Sequence, residues 1–593
     1  MNGRRSGHAA FLSFEGLGGG TVGVDEFLGE LERLPLDAVL GCLGLLSHTL
    51  VRAGANAFRP EVQGHYVNLA LVDDWPTPLR DAAKRYIPGR TPLAWNGSPL
   101  VHEQNLALVA HSALLRSDPQ PMTNELVSSL QSRVCRLLLV ASDLIPSSPK
   151  PNLNSLTERR SFVLDWLRHA QFNLFFEAFG VTMLKMARQR IIMLKVLPKY
   201  FDVESTFSNA CGVSLQRYFD IATMFVMHIP QWNHDGSQWL AKATLASKLE
   251  AHLDEVEQIF GRWIRTPEQY RSAWADWNRQ AAGGSISAFD FVLLRQTPLI
   301  EARSGELVCP VFPFLVAKFA DEPYFLLSEH LPDPTEFHEA VGRAYEEYAH
   351  GLVSRIAAGD KSGAWQCEKT VRDRRHGELA DSYLQKGDLG LCFEHKGGRP
   401  STQFLIGGDG RRVLGPDQAI LQAIESGQRV SPREGKQQDN GFLTRGTWQQ
   451  SIGGPKLPDW VDREFGHRPQ KIVPLITHLS QIRVDDVCRS GYMVPLIEAA
   501  RLYDDPVWLA HPQWLHVSDL ETLGALADEG RLDLEGLIRE KATHYPDVRF
   551  DIFLFERFDG GAVDSRLVEE ARLMMKGAGA TFWPAEFQRI GGF

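Results

Sequence analysis

Residues Gly377 to Gly398 read GELADSYLQKGDLGLCFEHKGG. Taken with a period of two, Leu391, Phe393 and His395 fall on one face of a strand, and Cys392, Glu394 and Lys396 on the other. The first face is suited to packing; the second sets a carboxylate beside an ammonium. The intervening LQKGD, with Gly387 before Asp388, suits a hairpin turn. That turn would fold the polar run ending at Asp381 back beside Glu394, so two carboxylates and a lysine would share one patch of sheet.

Such a patch fits metal-dependent phosphodiester hydrolysis. Carboxylate oxygens hold Mg²⁺ while leaving positions for water and phosphate. The ion lowers the pKa of its water, and a lysine orients that water and offsets transition-state charge. An E-x-K triplet arises about once by chance in a chain of this length, and two occur here. Glu434-Gly435-Lys436 lies in a Gln- and Gly-rich stretch with no strand around it, and reads as the chance match. For Glu394 and Lys396 the spacing leaves two alternatives open: a metal site, or an ion pair across strands on a solvated sheet face.

Asp381, a glycine turn and a hydrophobic strand ending in Glu394-His395-Lys396 resemble the core of the PD-(D/E)XK nuclease superfamily, the restriction-endonuclease-like fold. That core is preceded by a helix carrying a glutamate after an aromatic residue. GRAYEEYAHGLVSRI supplies Tyr345-Glu346 in that order, and periodicity alone does not choose between Glu346 and Glu347. The core is followed by a helix, for which LTRGTWQQSI is the candidate, and by further strands, for which KIVPLITH and DIFLFERF serve. The resemblance spans roughly Pro332 to Pro584, with Ala380 in place of the family's proline. It implies that Asp381, Glu394 and Glu346 bind Mg²⁺ or Mn²⁺ and that Lys396 activates water.

The neighbouring residues read more plainly. His395 faces the packing side and is expected as a buried imidazole, and Cys392 as a small core residue. Arg399, Arg411 and Arg412 follow the Lys396 strand and are candidates for phosphate contacts. His511 and His516, in HPQWLHVSD, fit a turn before a helix. Ser518 and Glu521 have capping-box spacing at the head of an expected helix pair in HVSDLETLGALADEGRLDLEGLIREK. Residues 400–469 read as long loops around one or two short helices.

Working outward, residues from Val24 to about Ile264 repeat apolar positions at helical spacing. Residues near 285–331, including FPFLVAKF, mix short strand-like runs with turns. The expected fold is therefore α+β and multidomain: a mostly helical regulatory or recognition region over 1–284, a connecting α/β segment over 285–331, and a restriction-endonuclease-like α/β domain with a central mixed sheet over 332–593. Gly18, Gly20 and Gly23 match GxGxxG, but helix rather than a second strand follows, which argues against a dinucleotide site.

The 593 residues carry 63 basic and 73 acidic side chains, a formal charge of −10. That balance excludes a uniformly basic surface for nucleic acid but leaves room for a local groove. Seven dispersed cysteines without a CxxC pair argue against a zinc ribbon or disulfide framework. No apolar stretch is long enough for a span, so the chain reads as soluble and cytoplasmic, with no membrane partner. The expected activity is a metal-dependent endonuclease cutting DNA rather than RNA, in the manner of prokaryotic anti-phage or restriction-like effectors. A second copy or a protein partner would engage the helical N-terminal region. The alternative is an inactive nuclease fold serving as a nucleic-acid-binding or assembly module.

Overall fold

The computed structural model describes residues 22–53, 60–71, 100–120, 123–144, 154–170, 179–228, 242–280, 291–363, 365–374, 377–398, 413–439, 441, 443–479, 488–558 and 562–577. Those residues are mostly helical, with two mixed sheets. The smaller sheet joins Ile264–Arg265, Leu299–Glu301 and Leu307–Val308.

The larger sheet has five strands in spatial order β1 (Gln366–Asp373), β2 (Gly377–Lys386), β3 (Leu389–Lys396), β4 (Lys471–His478) and β5 (Gln513–His516). The first three form an antiparallel meander; β3, β4 and β5 run parallel. The β2–β3 turn is as tight as its sequence implies. Gly387 sits at φ +54°, a left-handed conformation that favours glycine, and Lys386 pairs with Leu389 across it.

Both faces of this sheet are buried, against different partners. One face carries Leu384, Leu391, Phe393 and Leu475, whose core includes the long helix α2 (Thr335–Gly359) and the helix α1 (Phe179–Ile191). The apolar stripe of α2, Phe337, Val341, Ala344, Tyr345, Tyr348, Leu352 and Ile356, is wholly buried, as its spacing requires. The other face carries Tyr383, Cys392, Ile472 and Ile476 in a core shared with α4 (Arg445–Gly453), entered after α3 (Pro432–Gln438), and with residues from Leu156 to Leu167. A third core gathers helices between Phe27 and Ala141 with residues from Tyr270 to Phe314.

Residues before 284 thus contribute to all three cores. The tie is explicit at α1, where Arg188 forms a two-pronged pair with Glu521 of α5 (Val517–Asp528), at 2.6 and 2.5 Å. Tyr348 donates to the same carboxylate at 2.7 Å.

Several sequence expectations are corrected. DIFLFERF is the helix Phe550–Arg557, because Phe550, Phe553 and Leu554 bury at three- and four-residue spacing, and that period overrides strand propensity. FPFLVAKF begins the helix Phe312–His330. Residues 413–469 hold four short α-helices rather than one or two: Gln418–Glu425, α3, α4 and Leu457–Phe465. HPQWLH contains strand β5, not only a turn.

His516 rather than Ser518 caps α5, its N–H donating to Asp519 Oδ2 at 2.8 Å, while Glu521 is taken by Arg188 and Tyr348. Of the GxGxxG match, Gly18 and Gly20 lie outside the described residues. The helix Val24–Glu32 that follows is succeeded by another helix, Leu36–Ala53, which leaves no second strand for a dinucleotide site. Among the described residues, no single helix is long and apolar enough to cross a membrane.

Candidate active site

The register of β2 and β3, with Ser382 opposite Phe393, puts Asp381 next to Glu394 across the two strands. Both are buried, Asp381 at 6% and Glu394 at 1% relative exposure. That burial excludes the solvated-face ion pair left open by spacing. The backbone N–H of His395 donates to Asp381 Oδ2 at 2.6 Å, which fixes that carboxylate against the edge of β3. Lys396 Nζ donates to Glu394 Oε1. Glu394 Oε2 is buried with no hydrogen-bond partner among the described residues.

Helix α2 carries two adjacent glutamates, and their surroundings differ. Glu347 turns away to Lys199 and to the Tyr200 hydroxyl, which donates to it at 2.6 Å, and these bonds hold its carboxyl below the ordinary range. Glu346 lies within electrostatic reach of Asp381 and Lys396. Burial first, and Asp381 second, push its carboxyl up to about 7. Glu394 is pushed up to about 8 by burial and then by Asp381, with Lys396 opposing. Burial alone would lower the Lys396 ammonium, but Glu394 and Asp381 outweigh it and hold it above its usual value. Several acids crowded out of water raise one another, and the imbalance is of the kind a bound cation relieves.

Behind the strand, His395 is a buried imidazole as expected. Its Nδ1 meets Thr477 Oγ1 at 2.6 Å and its Nε2 meets Ser382 Oγ at 2.9 Å. Burial holds its pKa down at about 3, so the ring stays neutral. Cys392 is wholly buried, also as expected.

Three further contributors have no role assigned from the sequence. Glu378, three residues before Asp381 on β2, is raised by burial and by a side-chain hydrogen bond to Asp381. Gln450 of α4 donates from Nε2 to the carbonyls of Cys392 and Leu475, both at 2.9 Å, clamping β3 to β4 beside Glu394. Lys436, dismissed with its E-x-K triplet, lies on α3 rather than in a loop and comes within electrostatic reach of Glu394 and Lys396. Gln450 carries a sequence signal as part of the helix expected to follow the site, and Lys436 one as the end of the second E-x-K triplet. Arg399, Arg411 and Arg412 lie outside the described residues.

Among the described residues, no group of three or more His, Cys, Asp or Glu side chains is arranged to hold a metal ion by itself. Mg²⁺ asks for less, since it keeps several waters and takes one or two protein carboxylates. Asp381 and Glu394 offer hard oxygen donors of that kind, and Glu394 Oε2 is buried without a hydrogen-bond partner among the described residues. Compared with known proteins, the chain matches no family model, no curated protein and no solved structure.

Proposed function

We propose that this chain is a metal-dependent endonuclease with a restriction-endonuclease-like core, hydrolysing phosphodiester bonds in DNA rather than RNA, in the manner of prokaryotic anti-phage or restriction-like effectors. The observation that carries the reading is the pairing of Asp381 with Glu394 on adjacent strands, with Lys396 on one oxygen of Glu394 and no partner on the other. The order of helix, three-stranded meander, helix and parallel strand, with Glu346 presented from the first helix, supports it further. The deep burial of Glu394 weighs against an inactive binding module. Its second oxygen, left without a partner among the described residues, is open to a ligand.

Asp381 and Glu394 would hold Mg²⁺ or Mn²⁺, with Glu346 engaging it through a coordinated water, and the ion when bound would neutralise phosphate charge and lower the pKa of its water. Lys396, tethered to Glu394, presents its remaining N–H donors to the attacking water and to the phosphate oxygens that gain charge. The water oxygen bonds to phosphorus, the bond to the leaving sugar oxygen breaks, and that oxygen takes a proton. Incubation of the full chain with plasmid DNA and with RNA, with and without Mg²⁺ or Mn²⁺, tests this reading. Expected is metal-dependent cleavage, stronger on DNA, that falls at least about 100-fold in Asp381→Asn, Glu394→Gln and Lys396→Ala. Cleavage that survives all three substitutions would overturn the assignment.

A further inference from the structure

We propose that Lys436 and Arg445 form a cationic rim that grips the phosphate backbone of the nucleic-acid substrate beside the acidic site; this rests on the nuclease reading above and adds how a chain of net charge −10 would hold an anionic polymer.

The rim is built by two helices locked at a right place and angle. Helix α3 begins at Ser431, whose Oγ accepts from Glu434 N–H at 3.2 Å, with Pro432 in its first turn. Its Gly435 lies flat against Trp448 of α4. A Cβ there would come within 2.3 Å of the ring, so no larger residue fits without moving the helix. The turn that joins the helices closes on Asp439, a fully buried carboxylate. Its Oδ1 accepts from Gly441 N–H at 2.7 Å and from Thr444 Oγ1 at 2.9 Å. Helix α4 then rests on the site itself: a Cβ at Gly446 would stand 3.3 Å from Glu394 Cγ and 3.5 Å from Lys396 Cε.

These constraints bring Lys436 from α3 and Arg445, the first residue of α4, to the edge of the acid cluster. Lys436 is half-buried and feels Glu394, Lys396, Arg445 and Glu378. Arg445 is exposed. Neither makes a salt bridge to a carboxylate among the described residues, whereas Lys396 pairs with Glu394, Arg372 with Glu378 and Arg463 with Asp373.

Lys436 and Arg445 lie close enough to repel each other and Lys396, and Glu394 and Glu378 offset that repulsion without forming an ion pair to either. Both cations therefore keep N–H donors free for an anion arriving from outside. A phosphodiester backbone fits, because one phosphate can sit at the carboxylates while its neighbours along the strand meet the rim. A divalent cation fits the carboxylates and not the rim, whose own positive charge would repel it.

The test uses the full chain and a short fluorescein-labelled DNA duplex in EDTA, where no cleavage occurs. Binding is followed by anisotropy across a salt series for wild type, Lys436→Met, Arg445→Ala, the double variant and Lys436→Arg. Arg557→Ala serves as a charge-matched control on the helix Phe550–Arg557. Each loss at the rim is expected to weaken binding about 5- to 20-fold and to reduce the slope of log affinity against log salt by about 0.9. Lys436→Arg should bind like wild type, and Arg557→Ala should leave the slope unchanged.

If the rim variants bind with wild-type affinity and slope while the wild type still cleaves, the rim is overturned and the nuclease reading stands. If the wild type neither binds nor cleaves nucleic acid, both fall. Should Lys436→Met melt well below wild type, the exposed Arg445→Ala carries the decision alone.

Discussion

His395 donates its backbone N–H to Asp381 Oδ2 at 2.6 Å, so the residue between Glu394 and Lys396 on one strand holds the carboxylate of the next. The same residue's ring reaches the opposite face of the sheet and bonds Ser382 and Thr477. From there the hydrogen-bonded chain continues through Ser382 to His350, at 3.0 Å, and through Thr477 to Tyr345, at 3.3 Å. The site strand is therefore pinned from behind by helix α2 and by β4.

His395→Ala strips two buried hydroxyls of a partner and leaves a cavity. We expect a loss of about 3 kcal/mol, read as a lower denaturant midpoint with an unchanged slope. A variant as stable as wild type would show that the network adds nothing to the fold.

Glu346 and Glu347 are neighbours with opposite fates. Glu346→Gln is expected to lower metal-dependent cleavage about 10- to 100-fold with little change in melting, because it removes a carboxylate from the cluster. Glu347→Gln should leave cleavage intact and loosen only the contacts to Lys199 and Tyr200. Parallel turnover measurements on the two variants decide the matter, and equal effects would remove Glu346 from the site.

The buried Arg188–Glu521 pair joins α1 to α5, so breaking it from one side strands a charge in the core. Glu521→Ala should cost about 3 to 5 kcal/mol, whereas an apolar replacement of both partners should recover much of the loss. A fragment starting at residue 332 should likewise expose the apolar face of α2 and aggregate, while the full chain stays dispersed. Light scattering of the fragment and the full chain distinguishes these outcomes.

His111 lies in the N-terminal helical core, its Nδ1 2.8 Å from the Tyr270 hydroxyl and its ring edge-on to Trp274. Burial lowers its pKa to about 3. The unfolded chain takes up a proton near pH 6.5, and the folded one does not until about 3. Stability from this group is therefore complete above 6.5 and is lost as pH falls through that window, by about 2 kcal/mol at pH 5. In His111→Phe, the difference in unfolding free energy between pH 7 and pH 5 should shrink by about that amount. An unchanged difference would show that the ring gains its proton without cost.

Much of the site was legible because its logic is local. A period of two and a glycine able to take positive φ at 387 bring Asp381 beside Glu394 with no help from the rest of the chain. The stripe of α2 was legible for the same reason. DIFLFERF combines strand-forming residues with helical spacing, and the spacing prevails only once a neighbouring core exists to bury Phe550, Phe553 and Leu554.

By itself, then, the sequence determined the β2–β3 hairpin, the pairing of the two acids, the lysine beside them, the helix that carries Glu346 and the strand KIVPLITH, but not β1, which completes the meander. Tertiary structure alone decided that Glu346 rather than Glu347 faces the acids, that Glu394 keeps one oxygen unbonded, and that Lys436 and Arg445 stand at their edge. Each of those outcomes depends on packing between residues distant in the chain: α2 against the sheet, Gly446 against Glu394, and Gly435 against Trp448. Hydrophobic periodicity reports which face of an element is buried. It carries no information about which distant element covers that face or which polar atoms are shut in with it.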